Sequence, residues 1–343
     1  MKFSHRVIEV KRLFPLTISR GTTASAKNLF VFVEKDGVTG CGEAAIGTGA
    51  PDDLYLQAPQ MLEQLVQDTL GQSILEIWEE GVRREIPMAA LASLDIALWD
   101  WVGMKTGMPL YQLFGLPKPT VPTSVTIGIE PKDVVRERVP KVIEIAGAKA
   151  LKIKLGSPQG QDHDKEIFFT AKEAAEPYGV KLRADANGGW DVPRAIESMK
   201  WLAEGGCDYI EQPLVKGAED DLPHIFENRP MPIFVDESVQ TSFDIPKIIG
   251  KCDGVNMKLM KTGGLTDGLR VLQACRALGL GTMIGCMSDS SIAIAAGAAV
   301  SGLCDHIDLD NHFNLDPDPA TGLETFEGIV MPRDVPGHGA YLV

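Results

Sequence analysis

The chain has 343 residues, is 44% hydrophobic and 23% charged, and carries a formal net charge of -14. Such a composition belongs to a globular protein large enough to bury a substantial core, and its charge disfavours nucleic acid or an anionic membrane as partner. The opening MKFSHRVIEVKR lacks the apolar stretch of a signal peptide and no apolar run reaches membrane-spanning length, so the expected location is cytoplasmic.

In chain order, FSHRVIEVKRLFPL (3–16), AKNLFVFVEKDG (26–37) and VTGCGEAA (38–45) read as antiparallel strands, with Asp36-Gly37 as a hairpin signal. Residues 53–107 read as helices. Residues 1–118 are thus expected to form an α+β capping domain, to which the closing segment, about 312–343 with TFEGIV and its Pro/Gly turns, returns.

Between 119 and 311 short apolar or β-branched runs alternate with amphipathic stretches. The runs are TSVTIGI (123–129), KALKIKLG (149–156), KLRADAN (181–187), CDYIEQP (207–213), PIFVDES (232–238), DGVNMKLMK (253–261), TMIGCMS (282–288) and CDHIDLD (304–310). Asp191 and Pro193 signal one helix start, with Ile196, Met199 and Ala203 expected on its buried face; Leu265, Leu269, Leu272 and Cys275 mark another. Eight strands alternating with helices predict an α/β protein with a (β/α)8, TIM-like barrel, and the length exceeds the roughly 250 residues such a barrel needs. Cys41, Cys207, Cys252, Cys275, Cys286 and Cys304 show no CxxC pairing, which favours reduced, buried thiols over disulfides or zinc.

Lys154, Asp185, Glu211, Asp236 and Lys261 recur at intervals of 31, 26, 25 and 25 residues. Each interval is about one strand plus one helix, so the five are expected at successive strand ends, around one site. Three neighbouring carboxylates would repel one another without a cation between them. With oxygen ligands only, the ion expected is Mg2+, with Mn2+ as the alternative. Lys152 and Lys154 share one strand face, and a structural ion pair to Asp185 or Glu211 is one role for Lys152. Lys258 shares a face with Asn256, and Lys261 lies beside Thr262-Gly263-Gly264, read as a flexible turn that carries the amine over the barrel mouth.

LKIKLG, RADANGGW, YIEQPL, VDES and NMKLMKTGG, in that order and spacing, resemble the enolase superfamily, in its muconate-lactonizing branch. LDIALWDWVGMKTGMPLYQLFG (94–115) is similar to that family's linker between cap and barrel. The resemblance implies Mg2+ on Asp185, Glu211 and Asp236. Asp308-Leu309-Asp310 resembles the motif with which the dipeptide epimerase subgroup, L-Ala-D/L-Glu epimerases among them, holds a substrate ammonium. Thr126, Lys152, Cys286 and Ser288 match positions near the substrate in that subgroup. Asn311-His312-Phe313 and Asp289 depart from the usual pattern, where a small residue and a glutamate stand.

The chemistry expected is removal of a proton next to a carboxylate. A lysine base must have its pKa lowered from about 10.4 toward 7 to 8, which Lys152 beside Lys154 and a nearby Mg2+ supply. Strands two and six face each other across a barrel, so Lys154 and Lys261 are expected on opposite faces of the α-carbon, as epimerisation requires. Arg20, in the stretch SRGTTASA (19–26) read as a loop, can reach an acidic side chain, which makes L-Ala-Glu the first substrate guess. The alternatives are a lyase-type relative, such as an o-succinylbenzoate synthase or a muconate-type cycloisomerase, and a non-catalytic metal-dependent binding protein. Neither lyase substrate carries an ammonium for Asp308 and Asp310. The expected partner is a small dipeptide, and self-association into a homo-oligomer is compatible with the sequence.

Overall fold

The computed structural model describes residues 1–45 and 54–343, so the start of the helical stretch at residue 53 lies outside the described residues. Three antiparallel strands open the chain, β1 (Lys2–Ile18), β2 (Gly21–Lys35) and β3 (Val38–Ala44), in the order β1-β2-β3. Asp36 and Gly37, with φ of 55° and 75°, make the left-handed turn that joins β2 to β3. Strand alternation gives this sheet two apolar faces. Leu29, Val31 and Val33 pack on the helices α1 (Leu54–Asp68), α2 (Ile74–Arg83) and α3 (Met88–Thr106), while Phe30 packs against Ile292, Ala320 and Ala340.

Two features of this domain differ from the reading above. Residues 19–26 are not a loop: Ser19 and Arg20 form the hairpin turn, and β2 begins at Gly21. β1 also breaks register, because Lys11 pairs with Ser25 but Leu16 with Thr23, which leaves Arg12 to Pro15 outside the ladder. Pro15 has no N–H to give a ladder, and a bulge is where a strand tolerates it.

After the short α4 (Leu110–Leu113) the barrel follows as β4 (Ser124–Ile127), α5 (Lys132–Ala146), β5 (Ala150–Lys154), α6 (Gln161–Ala175), β6 (Lys181–Asp185), α7 (Val192–Glu204), β7 (Cys207–Glu211) and α8 (Leu222–Phe226). It continues through β8 (Ile233–Val235), α9 (Ile245–Ile248), β9 (Gly254–Met257), α10 (Leu259–Thr262), α11 (Leu265–Ala277), β10 (Gly281–Gly285), α12 (Ser291–Val300) and β11 (His306–Asp308). The eight strands form one parallel sheet in sequence order, and a bridge from Thr123 to Ile307 brings its two edges together. The fold is therefore the α/β barrel with an N-terminal cap that the sequence predicts.

Helix detail departs from prediction in two places. Asp191 does cap α7, accepting from the Arg194 N–H at 2.9 Å, but Ile196 is 38% exposed. The buried residues are Ala195, Ser198, Met199, Trp201 and Leu202, so of the face expected from the sequence only Met199 is fully buried. The run 253–261 is a strand only to Met257, and 259–262 turns into a helix.

The chain then returns to the first sheet. β12 (Ala320–Thr321) pairs with β15 (Tyr341–Leu342) and β13 (Glu324–Phe326) with β14 (Ile329–Met331). His338 shares a 2.9 Å hydrogen bond with the Cys41 carbonyl, and its N–H donates to Asp100. All six cysteines are free, and no described helix is long and apolar enough to cross a membrane.

Candidate active site

Period-two alternation decides which side chains enter the barrel. Tyr209, Phe234 and Met283 fill its interior as an apolar floor. One step further along the strands, the interior positions turn ionic. Register places Lys154 beside Asp185 and Asp185 beside Glu211 across β5, β6 and β7, and Asp236 follows β8 directly. Above them lies a cavity of about 1030 Å³, lined by Thr126, Lys152, Lys154, Asp236, Lys261, Cys286, Ser288, Asp308, Asp310 and Arg20. Asp185 and Glu211 lie beneath it, fully buried.

Buried charges survive only when compensated, and here lysines compensate carboxylates. Lys154 Nζ is 2.5 Å from Asp185 Oδ2. Lys258 and Lys261 approach Asp236 at 2.7 and 2.6 Å, and Lys261 also donates to the Asp236 and Asn256 carbonyls. Lys152 pairs with Asp308 and stands 3.3 Å from Glu211 and 3.8 Å from Asp185. Burial opposes the Lys152 charge, but Asp308, Glu211 and Asp185 outweigh it and hold the pKa well above the usual lysine value. Lys152 therefore stays an ammonium. Lys261 is the reverse case, since burial and the adjacent Lys258 outweigh Asp236 and lower its pKa, toward the free amine that a base needs.

Glu211 is the least compensated carboxylate. Burial, then Asp185 and Asp236, push its carboxyl up to about 7 against the pull of Lys152. Against burial, Lys154 and Lys152 hold the Asp185 carboxyl below its usual value, and Lys258 and Lys261 do the same for Asp236, so all three sites are charged or ready to be. Three oxygen-only side chains together are the donor set a hard divalent cation takes. Among the described residues no three such groups are drawn in closely enough to chelate an ion as they stand, since the lysines hold the outward oxygens. The residue types and their shared burial fit Mg2+.

Lys261 lies on a short helix packed into the structure and not, as the sequence reading expects, on an open turn over the barrel mouth. Lys261 sits on α10, closed by Gly263 in the left-handed conformation, and is only 5% exposed.

On the eighth strand, Asp308 ends β11 and Asp310 lies two residues beyond. Asp308 Oδ1 is buried with no hydrogen-bond partner among the described residues, while Asp310 accepts from the Thr126 N–H at 2.7 Å and from the Cys286 thiol at 3.5 Å. Burial and Asp308 raise the Asp310 pKa. A cation at this corner would relieve both acids. Burial and the neighbouring acids likewise push the Cys286 thiol up, so it is a donor and not a thiolate.

Arg20 reaches the cavity but is engaged, donating to the Asn187 carbonyl and pairing with Glu237, both at 2.8 Å. Sequence reasoning missed Arg12. Freed by the β1 bulge, its guanidinium donates to Asn311 at 2.5 Å and to the Ser288 hydroxyl at 2.9 Å, and Asn311 donates onward to the Asp289 carbonyl. The unusual Asn311 is thus a structural partner of Arg12, and Pro15 in a strand was the available signal of the bulge. Asn28 and Glu43 were missed too. Asn28 donates to Glu43 and to the Ser288 carbonyl, and Glu43 accepts from the N–H groups of Ser290 and Ala293 at the start of α12.

A family model described as Mandelate racemase / muconate lactonizing enzyme, N-terminal domain, matches residues 3–115, and one described as Enolase C-terminal domain-like matches 134–342. A protein of Flavobacteria bacterium (strain MS024-2A) named hydrophobic dipeptide epimerase is 51% identical over 343 residues, covering 100% of this chain and 98% of its own. Another of that name, from Roseobacter litoralis, is 50% identical over 342 residues, covering 100% and 99%. The crystal structure of a dipeptide epimerase from Enterococcus faecalis V583, complexed with Mg and L-Leu-L-Tyr, superposes with a TM-score of 0.90 at 30% identity, covering 99% of this chain and 98% of that one.

Proposed function

The chain belongs to the mandelate racemase / muconate lactonizing enzyme family, and from that premise we propose that it is an isomerase that epimerises a dipeptide at its second α-carbon by proton transfer between Lys154 and Lys261. The observation that carries this is the pair of lysines from β5 and from beyond β9, which line one cavity that also holds the acidic corner of Asp308 and Asp310. Asp185, Glu211 and Asp236 would hold Mg2+, or Mn2+ in its place. When bound, the ion supplies positive charge to the substrate carboxylate and so acidifies the adjacent C–H. One lysine takes the proton from one face and the other returns a proton to the opposite face. Lys152, locked as an ammonium, keeps the surroundings of Lys154 positive.

Asp308 and Asp310 take the substrate ammonium, which fixes the dipeptide between the acidic corner and the carboxylate end. Thr126, Cys286 and Ser288 border the first residue. A lyase that uses one base would leave the second lysine and the unpartnered Asp308 oxygen without a task. In this division residues 119–311 carry the chemistry, while 1–118, with 312–343 returning to them, shape the side-chain pocket.

The side chain preferred is uncharged. Arg20 is neutralised by Glu237, and the cavity wall carries Phe14, Leu16, Ile18 and Val142, with Arg138 stacked on the Phe14 ring, so a side chain there meets mainly apolar surface. This reverses the L-Ala-Glu guess and follows the half-identical relatives named for hydrophobic dipeptides. Rates of epimerisation of L-Ala-L-Phe, L-Ala-L-Glu and N-acetyl-L-Ala-L-Phe with Mg2+ test the reading. Turnover is expected in that order of decreasing rate, and robust turnover of the acetylated compound would remove the ammonium role and with it the dipeptide assignment.

A further inference from the structure

The two glycines after Lys261 mark where the N-terminal domain meets the turn that carries this lysine. A Cβ at Gly263 would come within 2.8 Å of Trp78 Nε1, and one at Gly264 within 2.3 Å of Asp95 Oδ2. Trp78, on α2, donates to the Thr262 carbonyl at 3.1 Å. Asp95, on α3 and 2% exposed, accepts from the Thr266 backbone N–H at 3.0 Å and from its hydroxyl, while Trp99 donates to that hydroxyl at 2.9 Å. The Ala45 N–H also lies 3.3 Å from Met260 Sδ. Helix α11 starts at Gly264 with no capping side chain of its own. Asp95 supplies the cap from the other domain, where a carboxylate also suits the positive end of the helix dipole.

We propose that Asp95 is a positioning residue for Lys261, fixing the 261–266 turn so that the lysine amine stands at its face of the substrate. The inference rests on the two-lysine reading above. Asp95 contacts neither substrate nor the Lys261 amine; it acts through Thr266, Gly264 and the short α10. A misplacement of about 1 Å in a reacting group costs about a hundredfold in rate, so a partial slackening of this turn is measurable.

The test is α-proton exchange in D2O with Mg2+, read separately for L-Ala-L-Phe and L-Ala-D-Phe, in the full-length wild type and in variants. Lys154→Ala and Lys261→Ala first assign one stereoisomer to each lysine. Asp95→Asn is then expected to slow the Lys261 isomer about tenfold while the Lys154 isomer stays within about twofold. Trp78→Phe, which keeps an aromatic side chain but loses the N–H and part of the buried indole, should show the same asymmetry more weakly, and it carries the test if Asp95→Asn does not fold. Glu43→Gln loosens the other junction between the domains and should slow both isomers alike. Equal slowing of both isomers by the Asp95 or Trp78 variant overturns the proposal, as does an unchanged Lys261 isomer or the same asymmetry from Glu43→Gln. Absence of exchange in the wild type overturns the two-lysine reading instead.

Discussion

Lys154 and Lys261 line the same cavity but are held by different parts of the molecule. Lys154 ends a strand, and the loop beyond it is fastened inside the barrel. Asp164, fully buried on α6, accepts from the N–H groups of Gly156 and Ser157 and from Trp190, and pairs with Arg194 at 2.6 Å. Lys261 stands on a helical turn gripped from outside the barrel by Trp78 and Asp95. The difference teaches that a symmetric-looking reaction need not have a symmetric frame. The loop after Lys154 is tied down by hydrogen bonds within the barrel, and the turn that carries Lys261 by hydrogen bonds from the N-terminal domain.

Perturbations that remove what both faces share should erase the distinction. Asp236→Asn, Glu211→Gln or Asp185→Asn, or exhaustive chelation of Mg2+, is expected to lower exchange of both isomers on the order of a thousandfold or more with the fold retained, as circular dichroism and activity assays would show. Full turnover after chelation would break the scheme at its base. Removing one lysine should sharpen the contrast. Lys154→Ala and Lys261→Ala should each abolish epimerisation and slow exchange of one isomer by about 10² to 10⁴, leaving the other, and near wild-type interconversion in either variant refutes the two-base assignment.

Asp310→Asn is expected to act on both faces equally, since Asp310 holds the substrate end and bonds to the Thr126 N–H and the Cys286 thiol but to no lysine amine. The loss in kcat/KM should be about tenfold or more, and N-acetylated substrate should no longer distinguish variant from wild type. Smaller still is Glu237→Gln, which frees Arg20 and should improve L-Ala-L-Glu relative to L-Ala-L-Phe by about threefold, with little change for the apolar substrate. If relative kinetics on the two substrates do not move, Arg20 is not what excludes acids.

The junction itself should be sensitive to pH. Burial pushes the Glu43 and Asp95 carboxyls up to about 7, against the pull of their hydrogen-bond donors. Between roughly pH 4 and 7 the folded protein therefore holds protons that the unfolded chain has released. Stability from these groups is complete below the unfolded carboxylate pKa and falls as pH rises through 7. Glu43→Gln should flatten that fall by roughly 1 kcal/mol or more between pH 5 and 8, measured as urea midpoints at both pH values.

What the sequence revealed was what a barrel repeats. Lys154, Asp185, Glu211 and Asp236 were legible because each βα unit takes a similar number of residues, so function at strand ends appears as spacing. Lys261 was legible as a position but not as a conformation. DGVNMKLMK reads as one apolar run, and only the packing of Gly263 and Gly264 against Trp78 and Asp95 shows why it turns helical after Met257. The buried face of α7 was misjudged because Ile196 has the right character but Ala195, Ser198, Trp201 and Leu202 lie on the side that packs inward. Arg12, Asn28, Glu43 and Asp95 carry no local pattern, since the barrel residues they bond to lie between 171 and 299 positions away along the chain. Such pairings are invisible to any window of sequence.

The bulge in β1 has a consequence for the order in which the site can be assembled. Arg12 bonds to Asn311, and the Phe14 N–H and carbonyl bond to Asn314, across 299 and 300 positions. During synthesis at about 5 to 20 residues per second, the first strand exists for tens of seconds before its partners emerge. The barrel strands can pair one after another as they appear, each with the strand one βα unit before it. The wall of the cavity over Ser288 and Asn311 has to wait for contacts of the longest separation, which are the slowest to close. β1 is thus made well before the residues that fix its bulge, and the cavity wall gains its shape only once Asn311 and Asn314 have emerged.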